Sequence, residues 1–433
     1  MSLIEKIASK KARVVVIGIG YVGLPLVVEI ARAGFKVMGY DRDPLKAAAI
    51  KKGESYIEDV KSEDLAPLVK AGFLDASADE SVLDAADAVI LCVPTPLKKS
   101  KDPDMSVIES AVDAVKRHQH KDMLVVLEST TYPGTTRDVV AGELQTNGHT
   151  IGKDLFIAFS PERVDPGNVK FGTRNTPKVL GGMTSACFET AAALYRSFID
   201  TIVPVSSPEA AEMVKLLENT FRAVNIGLVN EIALICERLG LDVWEVISAA
   251  STKPMGFMPF YPGPGLGGHC IPIDPLYLSW KLRSLKTPAR FIELADQVNS
   301  AMPEHVVTLC GEALNKRRKP LSGSKILISG VSYKKNISDV RESPAIDVIE
   351  GFLKRGSIIS YIDPYVPSFR EGEHTFESIG PSASFASYDA IVIVTDHSGI
   401  DYARMLREAD LVIDTRNATR PFAQGAKANI VRL

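Results

Sequence analysis

Cys270 sits in the loop Gly263-Pro-Gly-Leu-Gly-Gly-His-Cys270-Ile-Pro-Ile-Asp274, with flexible backbone before it and a carboxylate four residues on. A thiol in that setting suits a nucleophile working beside a sugar or a phosphate. A lone cysteine can also be a small buried hydrophobe. That is the expected role of Cys92, Cys187, Cys236 and Cys310, which lie in apolar or helical runs. In Glu212-Met-Val-Lys215-Leu-Leu-Glu-Asn219, Lys215 and Asn219 stand at i and i+4 and share a helix face. A lysine beside an amide can hold a developing alkoxide or move a proton, although a helical lysine is often only solvated. A third constellation is Gly18-Ile-Gly20-Tyr21-Val22-Gly23, which follows an apolar run and opens a helical one. Gly18 permits a tight turn, Gly20 a close approach of backbone to a pyrophosphate, and Gly23 close helix-strand packing. Asp41 follows Gly20 by 41 − 20 = 21 residues, the distance expected of an acid that binds a ribose hydroxyl pair. Its charge would repel a 2′-phosphate, so NAD is the expected cofactor, with neighbouring Arg42 the one feature in favour of NADP.

These residues need elements to hold them. The runs Val14–Ile17, Lys36–Tyr40, Ala88–Val93 and Leu124–Leu127 are apolar rather than alternating. A parallel sheet covered on both faces requires that pattern. Helix-period stretches such as Leu24–Ala33, stopped by Gly34, lie between them. From Pro208 a long helical pattern runs to Leu239-Gly240, and the cysteine loop interrupts the helical section that follows. Strand-like runs return at Lys325–Gly330, Ile358–Asp363, Ala390–Val394 and Leu411–Asp414. The predicted fold is α/β, with two Rossmann-like doubly wound lobes joined by a central helical region. The expected segments are 1–206, 207–305 and 306–433.

Composition excludes several classes. The chain has 433 residues, 50 Lys+Arg against 53 Asp+Glu, and 45% hydrophobic residues, so disorder and coiled coil do not fit. A near-neutral balance argues against nucleic-acid binding, and the short cluster Lys316–Lys319 beside Pro320 reads as solvated surface. The cysteines are scattered without CxxC spacing, so neither a disulfide framework nor a metal site is expected, which suits a reducing cytosol. No signal-peptide pattern or membrane-length apolar run is present, and a cytoplasmic protein is the expectation.

The order of these motifs resembles the UDP-glucose/GDP-mannose dehydrogenase family over nearly the whole chain. The resemblance is carried by Gly18 to Gly23 with Asp41, Glu128-Ser-Thr130-Thr-Tyr-Pro-Gly-Thr, Ser160-Pro-Glu162-Arg163, and Lys215 with Asn219. It continues in Gly267-Gly-His-Cys270-Ile-Pro-Ile-Asp274 and in Tyr333-Lys334-Lys335-Asn through Arg341-Glu-Ser-Pro344. Gly-Gly-His-Cys, with His269, and the preceding Tyr-Pro-Gly-Pro-Gly are similar to the branch that oxidises UDP-N-acetylhexosamines. UDP-N-acetylglucosamine is the implied substrate, with UDP-N-acetylmannosamine and UDP-glucose as alternatives.

The resemblance implies an NAD-dependent, four-electron oxidation of the alcohol at carbon six to a carboxylate. Lys215, Asn219 and Asp274 would deprotonate the alcohol and hold the oxyanion. Cys270 would form a thiohemiacetal and then a thioester, with Glu162 and Thr130 organising water for hydrolysis. Gly18, Gly20, Tyr21, Val22, Gly23, Asp41, Arg42, Pro94, Thr95, Thr130 and Arg341 would contact NAD. Glu162, Arg163, Val164, Tyr261, Gly265, Gly268 and Lys334 would line the UDP-sugar site with Lys215 and Asn219, and Ser160 is expected beside them. The helices from 207 onward resemble the family's dimerisation segment, so a homodimer or larger homo-oligomer is implied. The family's cross-subunit arginine has no clear counterpart, Lys253-Pro254 occupying that region. A two-electron hydroxyacid dehydrogenase would not need the cysteine loop or a second α/β lobe. An NAD-sensing binding protein would not need Lys215, Asn219, Cys270 and Asp274 together.

Overall fold

An uninterrupted β-branched run such as Val14-Val15-Val16-Ile17 is stable only where both faces are covered. In the computed structural model it forms the central strand β1 (Arg13–Ile17), buried from Val14 onward. The structure describes all residues except 58, 99, 166, 167, 169, 269 and 373, and the side chain of 146. His269 of the cysteine loop therefore lies outside the described residues.

Around β1 stand β2 (Lys36–Tyr40), β3 (Leu74–Ser77), β4 (Ala88–Leu91), β5 (Met123–Leu127), β6 (Leu155–Phe159), β7 (Lys178–Gly182) and β8 (Ile202–Pro204). Their order is β3-β2-β1-β4-β5-β6-β7-β8. Strands β1 to β6 are mutually parallel, in the 3-2-1-4-5-6 arrangement of a dinucleotide-binding domain. Strand β7 then joins β6 antiparallel. Two apolar cores cover the faces of this sheet, one around Leu24, Leu26, Ile30 and Phe35, the other around Val112, Val115, Leu144 and Phe159.

The second sheet is built from β9 (Lys325–Ser329), β10 (Ile358–Ile362), β13 (Ala390–Ile393), β14 (Leu411–Asp414) and β15 (Asn429–Arg432), with an antiparallel pair β11 (Ser368–Glu371) and β12 (His374–Glu377) beside it. The order β10-β9-β13-β14-β15 is all parallel, the other common doubly wound arrangement. Between the sheets in sequence run the helices Pro208–Leu239, Val243–Ala250, Asp274–Ser284 and Arg290–Asn315. The chain forms two compact units, one comprising residues 1–218 and 276–287, the other 219–275 and 288–433. Among the described residues no helix is long and apolar enough to cross a membrane.

Candidate functional site

The glycine turn after β1 has the shape a dinucleotide needs. Gly18 has φ +88°, and a Cβ there would lie 2.6 Å from the carbonyl oxygen of Cys92. A Cβ on Gly23 would fall 1.9 Å from the carbonyl oxygen of Gly18, whereas one on Gly20 would meet nothing within 4 Å among the described residues. Two glycines are therefore there for packing, and the third leaves open space. The helix Gly23–Arg32 starts without a side-chain cap bond at Val22, while the N–H of Leu24 donates to the Gly20 carbonyl at 3.0 Å. Tyr21 is exposed and Val22 half-buried at that entrance. Asp41 follows β2 and faces the turn: the N–H of Ile19 donates to its Oδ2 at 3.1 Å and that of Asp43 to its Oδ1 at 3.0 Å. Lys46 Nζ pairs with the same carboxylate at 2.9 Å. The Arg42 guanidinium donates to the Ser110 hydroxyl. Past β4, Pro94 is exposed and Thr95 half-buried, and the Tyr277 hydroxyl donates to the carbonyl of Thr95 at 3.0 Å. A pyrophosphate could rest on this turn and a ribose against Asp41, so these residues fit NAD.

At the carboxyl ends of β5 and β6 lies a charged cluster. Thr130 is half-buried there, two residues past Glu128. Glu162 accepts N–H donation from Arg163 at 2.8 Å and from Val164 at 2.6 Å, both on Oε1. Its Oε2 is 3.4 Å from Lys178 Nζ, which also donates to Glu128 Oε2 at 2.8 Å. The Tyr195 hydroxyl donates to the other oxygen of Glu128. Burial would raise Glu162, but the charge of Lys178, the Val164 and Arg163 N–H groups and Lys215 bring its pKa below the usual carboxylate range. Burial dominates at Glu128 and pushes its pKa up. Burial alone would discharge Lys178, yet the two carboxylates more than offset it and its pKa is raised.

Several expected substrate contacts have other partners in this unit. Ser160 is buried, its hydroxyl donating to the Val179 carbonyl at 2.8 Å. Arg163 donates to Glu218 Oε1 at 2.7 Å and to the Pro177 carbonyl at 2.6 Å. Val164 contributes the N–H that holds Glu162.

Glu212, one turn before Lys215, is a buried carboxylate that the motifs did not single out. The N–H of Gly134 donates to it at 2.6 Å, and the N–H and hydroxyl of Thr136 at 2.8 and 2.7 Å. Burial outweighs those donors and pushes its pKa up to about 7. It ties the segment after Thr130 to the helix of Lys215. Glu212→Leu orphans the two buried donors of Thr136 and the half-buried N–H of Gly134, and is expected to destabilise the protein by about 3 kcal/mol or more. Denaturant unfolding of the variant beside wild type measures this.

In the other unit the cysteine loop runs directly into a helix. The N–H of Asp274 donates to the Cys270 carbonyl at 2.8 Å, so thiol and carboxylate are one helical turn apart. Asp274 is buried, Cys270 is half-buried, and Asn219 Nδ2 donates to Asp274 Oδ2. Three of the expected catalytic residues thus converge. The glycines before Cys270 are needed for close approach: a Cβ on Gly268, at φ +86°, would lie 2.8 Å from the Tyr333 ring, and one on Gly265 3.2 Å from Pro344. The loop is pinned at its start, where Gly263 N–H donates to Asn230 Oδ1 at 2.9 Å, and Asn230 donates to Asn299 at 2.8 Å. Tyr261 is exposed and stacks on Trp244 at 6.0 Å. Past β9, Lys334 follows Tyr333, and Arg341 forms a fork with Asp339 at 2.6 to 3.0 Å. Arg416, also not singled out by the motifs, donates to the Val394 carbonyl at 2.9 Å and packs where a Gly263 side chain would stand. Among the described residues no group of three or more His, Cys, Asp or Glu side chains is arranged to hold a metal.

A dinucleotide-binding lobe, a central section carrying Lys215 and Asn219, and a second α/β lobe define a nucleotide-sugar dehydrogenase architecture. Sequence models of the UDP-glucose/GDP-mannose dehydrogenase family match the chain in the same order: NAD binding domain at 12–199, central domain at 209–301, UDP binding domain at 327–421. The chain belongs to this family and is an NAD-dependent UDP-sugar dehydrogenase. It is 35% identical over 420 residues to the UDP-N-acetyl-D-mannosamine dehydrogenase of Methanococcus maripaludis, covering 94% of this chain and 92% of that protein. It is 33% identical over 413 residues to the UDP-N-acetyl-D-glucosamine 6-dehydrogenase of Pseudomonas aeruginosa, covering 93% and 96%. Among solved structures, the UDP-D-ManNAc dehydrogenase of Pyrococcus horikoshii superposes with a TM-score of 0.88 at 33% identity, covering 97% and 98% of the two chains.

Proposed function

We propose that this enzyme oxidises carbon six of a UDP-N-acetylhexosamine from primary alcohol to carboxylate, using two NAD per sugar. The observation that carries this reading is the half-buried Cys270 one helical turn before a buried Asp274 that is held by Asn219. An enzyme that stopped at the aldehyde would have no use for that thiol. Balanced, the alcohol, two NAD+ and one water give the carboxylate, two NADH and three protons.

NAD, when bound, is the hydride acceptor of both oxidations. In the first, Asp274 and Lys215 take up the alcohol proton through water, and Lys215 with Asn219 opposes the oxyanion charge. In the second, the Cys270 thiolate adds to the aldehyde carbon, forming a carbon-sulfur bond and a thiohemiacetal that keeps the aldehyde from escaping. As the thiohemiacetal oxygen gives its proton to water and re-forms the carbonyl, the carbon-bound hydride leaves for the second NAD and a thioester remains. Water then adds to its carbonyl, Glu162 takes the water proton beside Thr130, the carbon-sulfur bond breaks, and its electron pair returns to sulfur.

We assign Gly18, Gly20, Tyr21, Val22, Gly23, Asp41, Pro94, Thr95 and Arg341 to NAD, and Lys334, Tyr261, Gly265 and Gly268 to the UDP-sugar. Glu162, Arg163, Val164, Lys215 and Asn219 are assigned to the UDP-sugar with them. Residues 1–206, 207–305 and 306–433 serve as cofactor, connecting and nucleotide-sugar segments, and the cytoplasm is the compartment. The helix Pro208–Leu239 exposes Phe221, Leu228, Ile235 and Leu239, an apolar row that suits a second copy of the chain. The relatives' names support an N-acetylhexosamine, since they include both the manno and the gluco epimer. Purified protein with NAD is expected to form about two NADH per UDP-N-acetylhexosamine. A panel of the two epimers and UDP-glucose, scored by NADH per sugar, ranks the substrates, and one NADH per sugar would refute the four-electron course.

A further inference from the structure

Strand direction brings three charges to one edge of the first sheet. Strands β5 and β6 are parallel, so Glu128 and Glu162 both stand past their carboxyl ends. Strand β7 is antiparallel to β6, with Ala158 opposite Gly182 and Phe159 opposite Gly181. Carried three residues further, that register sets Lys178 opposite Glu162. The Lys178 side chain is 5% exposed, Glu128 0% and Glu162 14%, so of the three Glu162 is the most open to solvent.

The geometry points to Lys178 as a positioning residue for the hydrolytic step. Its ammonium, held by Glu128, clamps Oε2 of Glu162, so that the carboxylate stays ionised and aimed to accept the proton of the attacking water. This rests on the role proposed above for Glu162. In that step a water O–H bond breaks and its proton passes to Glu162. The water oxygen bonds to the thioester carbon, and the carbon-sulfur pair returns to Cys270.

One cation stands between two carboxylates and cannot fully compensate both in a dry site. The surroundings decide which is served. Glu162 faces Lys178 from β7, Glu128 from the end of β5 and Lys215 from the helix Pro208–Leu239, and it accepts two N–H groups from its own loop. The Arg163 guanidinium is engaged by Glu218. Against complete burial, the Glu128 carboxylate has among the described residues the Lys178 ammonium and the Tyr195 hydroxyl, with the thiol of Cys92 nearby, itself held protonated by burial. A proton that enters the pair therefore settles on Glu128, and Glu162 keeps its charge.

Two substitutions should move Glu162 in opposite directions. Lys178→Met removes the clamp and leaves the carboxylates facing each other, so the Glu162 midpoint is expected to rise by about one to two pH units. Glu128→Gln gives the whole cation to Glu162, so its midpoint is expected to fall. A base is lost as pH drops through its pKa, so the acid limb of kcat for uronic acid formation should shift the same way in each variant. Carboxyl 13C NMR of glutamate-labelled protein, with the resonance identified by its loss in Glu162→Gln, follows the midpoint without substrate. Should Lys178→Met fail to fold, Glu128→Gln/Lys178→Met removes one charge of each sign, and its Glu162 midpoint should lie above that of Glu128→Gln alone. Unmoved midpoints, with activity lowered by one factor at every pH, overturn the clamp. Midpoints that move as expected in a protein that forms no NADH from any UDP-sugar support the clamp and refute the proposed reaction instead.

Discussion

Cys270→Ser is expected to bind UDP-sugar and NAD much as wild type does, yet to form uronic acid about a thousandfold more slowly or worse. A serine hydroxyl is hardly ionised at neutral pH, and an oxygen adduct returns a poorer leaving group than a thiolate. In the proposed course the first oxidation uses Asp274, Lys215 and Asn219, which the substitution leaves in place. Asp274 keeps its backbone bond to the carbonyl of residue 270 and its bond from Asn219 in the variant. Calorimetric titration of both ligands checks binding, and chromatographic separation of UDP-sugar from UDP-uronic acid checks the chemistry. Wild-type acid formation in the variant removes the thiol from the reaction.

Gly20→Ala and Gly23→Ala should separate binding from folding within one turn. At Gly23 the new carbon would sit 1.9 Å from a backbone oxygen, and no side chain can rotate to relieve it. The expected cost is about 3 kcal/mol or more, at the top of the range for overpacking, seen as a large fall in Tm. At Gly20 the carbon meets nothing within 4 Å among the described residues, so stability should change by less than about 0.5 kcal/mol. It would instead occupy the space a pyrophosphate needs, and NAD affinity should fall about tenfold or more, near 1.4 kcal/mol. Thermal unfolding and NAD titration of both variants test the contrast. Equal effects on both quantities would mean that the two glycines do the same job.

What could be read from the sequence was what is encoded locally. Val14–Ile17 and Leu124–Leu127 announce buried parallel strands because every residue is apolar, and Gly34 and Gly240 stop their helices at φ +90° and +70°. Strand β6 is as apolar as β5, but five residues of Leu-Phe-Ile-Ala-Phe do not distinguish a strand from a buried piece of helix. Strand β7, Lys-Val-Leu-Gly-Gly, opens with a charge and closes on two glycines, which argue against a strand interior. The site divides along the same line. Cys270 and Asp274, or Gly18 to Gly23, are neighbours in sequence, and their chemistry is visible in a short window. Lys178 meets partners 50 and 16 residues away, and Glu212 partners 78 and 76 away. Arg416 packs on a glycine 416 − 263 = 153 residues earlier. The one local hint was a lysine opening an otherwise apolar strand, a charge that needs a buried partner.

The antiparallel setting of β7 has a consequence for how this edge could be rebuilt. A strand of five residues is about 17 Å long, so a parallel β7 would put its first residue at the opposite rim of the sheet. Lys178 would then lie beyond any side chain's reach of Glu162, with every residue of the strand unchanged. Polarity therefore acts as an address. A circular permutant that keeps the direction of β7 should keep the charge pairing, while an insertion that flips the strand would erase it without altering a single residue of the cluster.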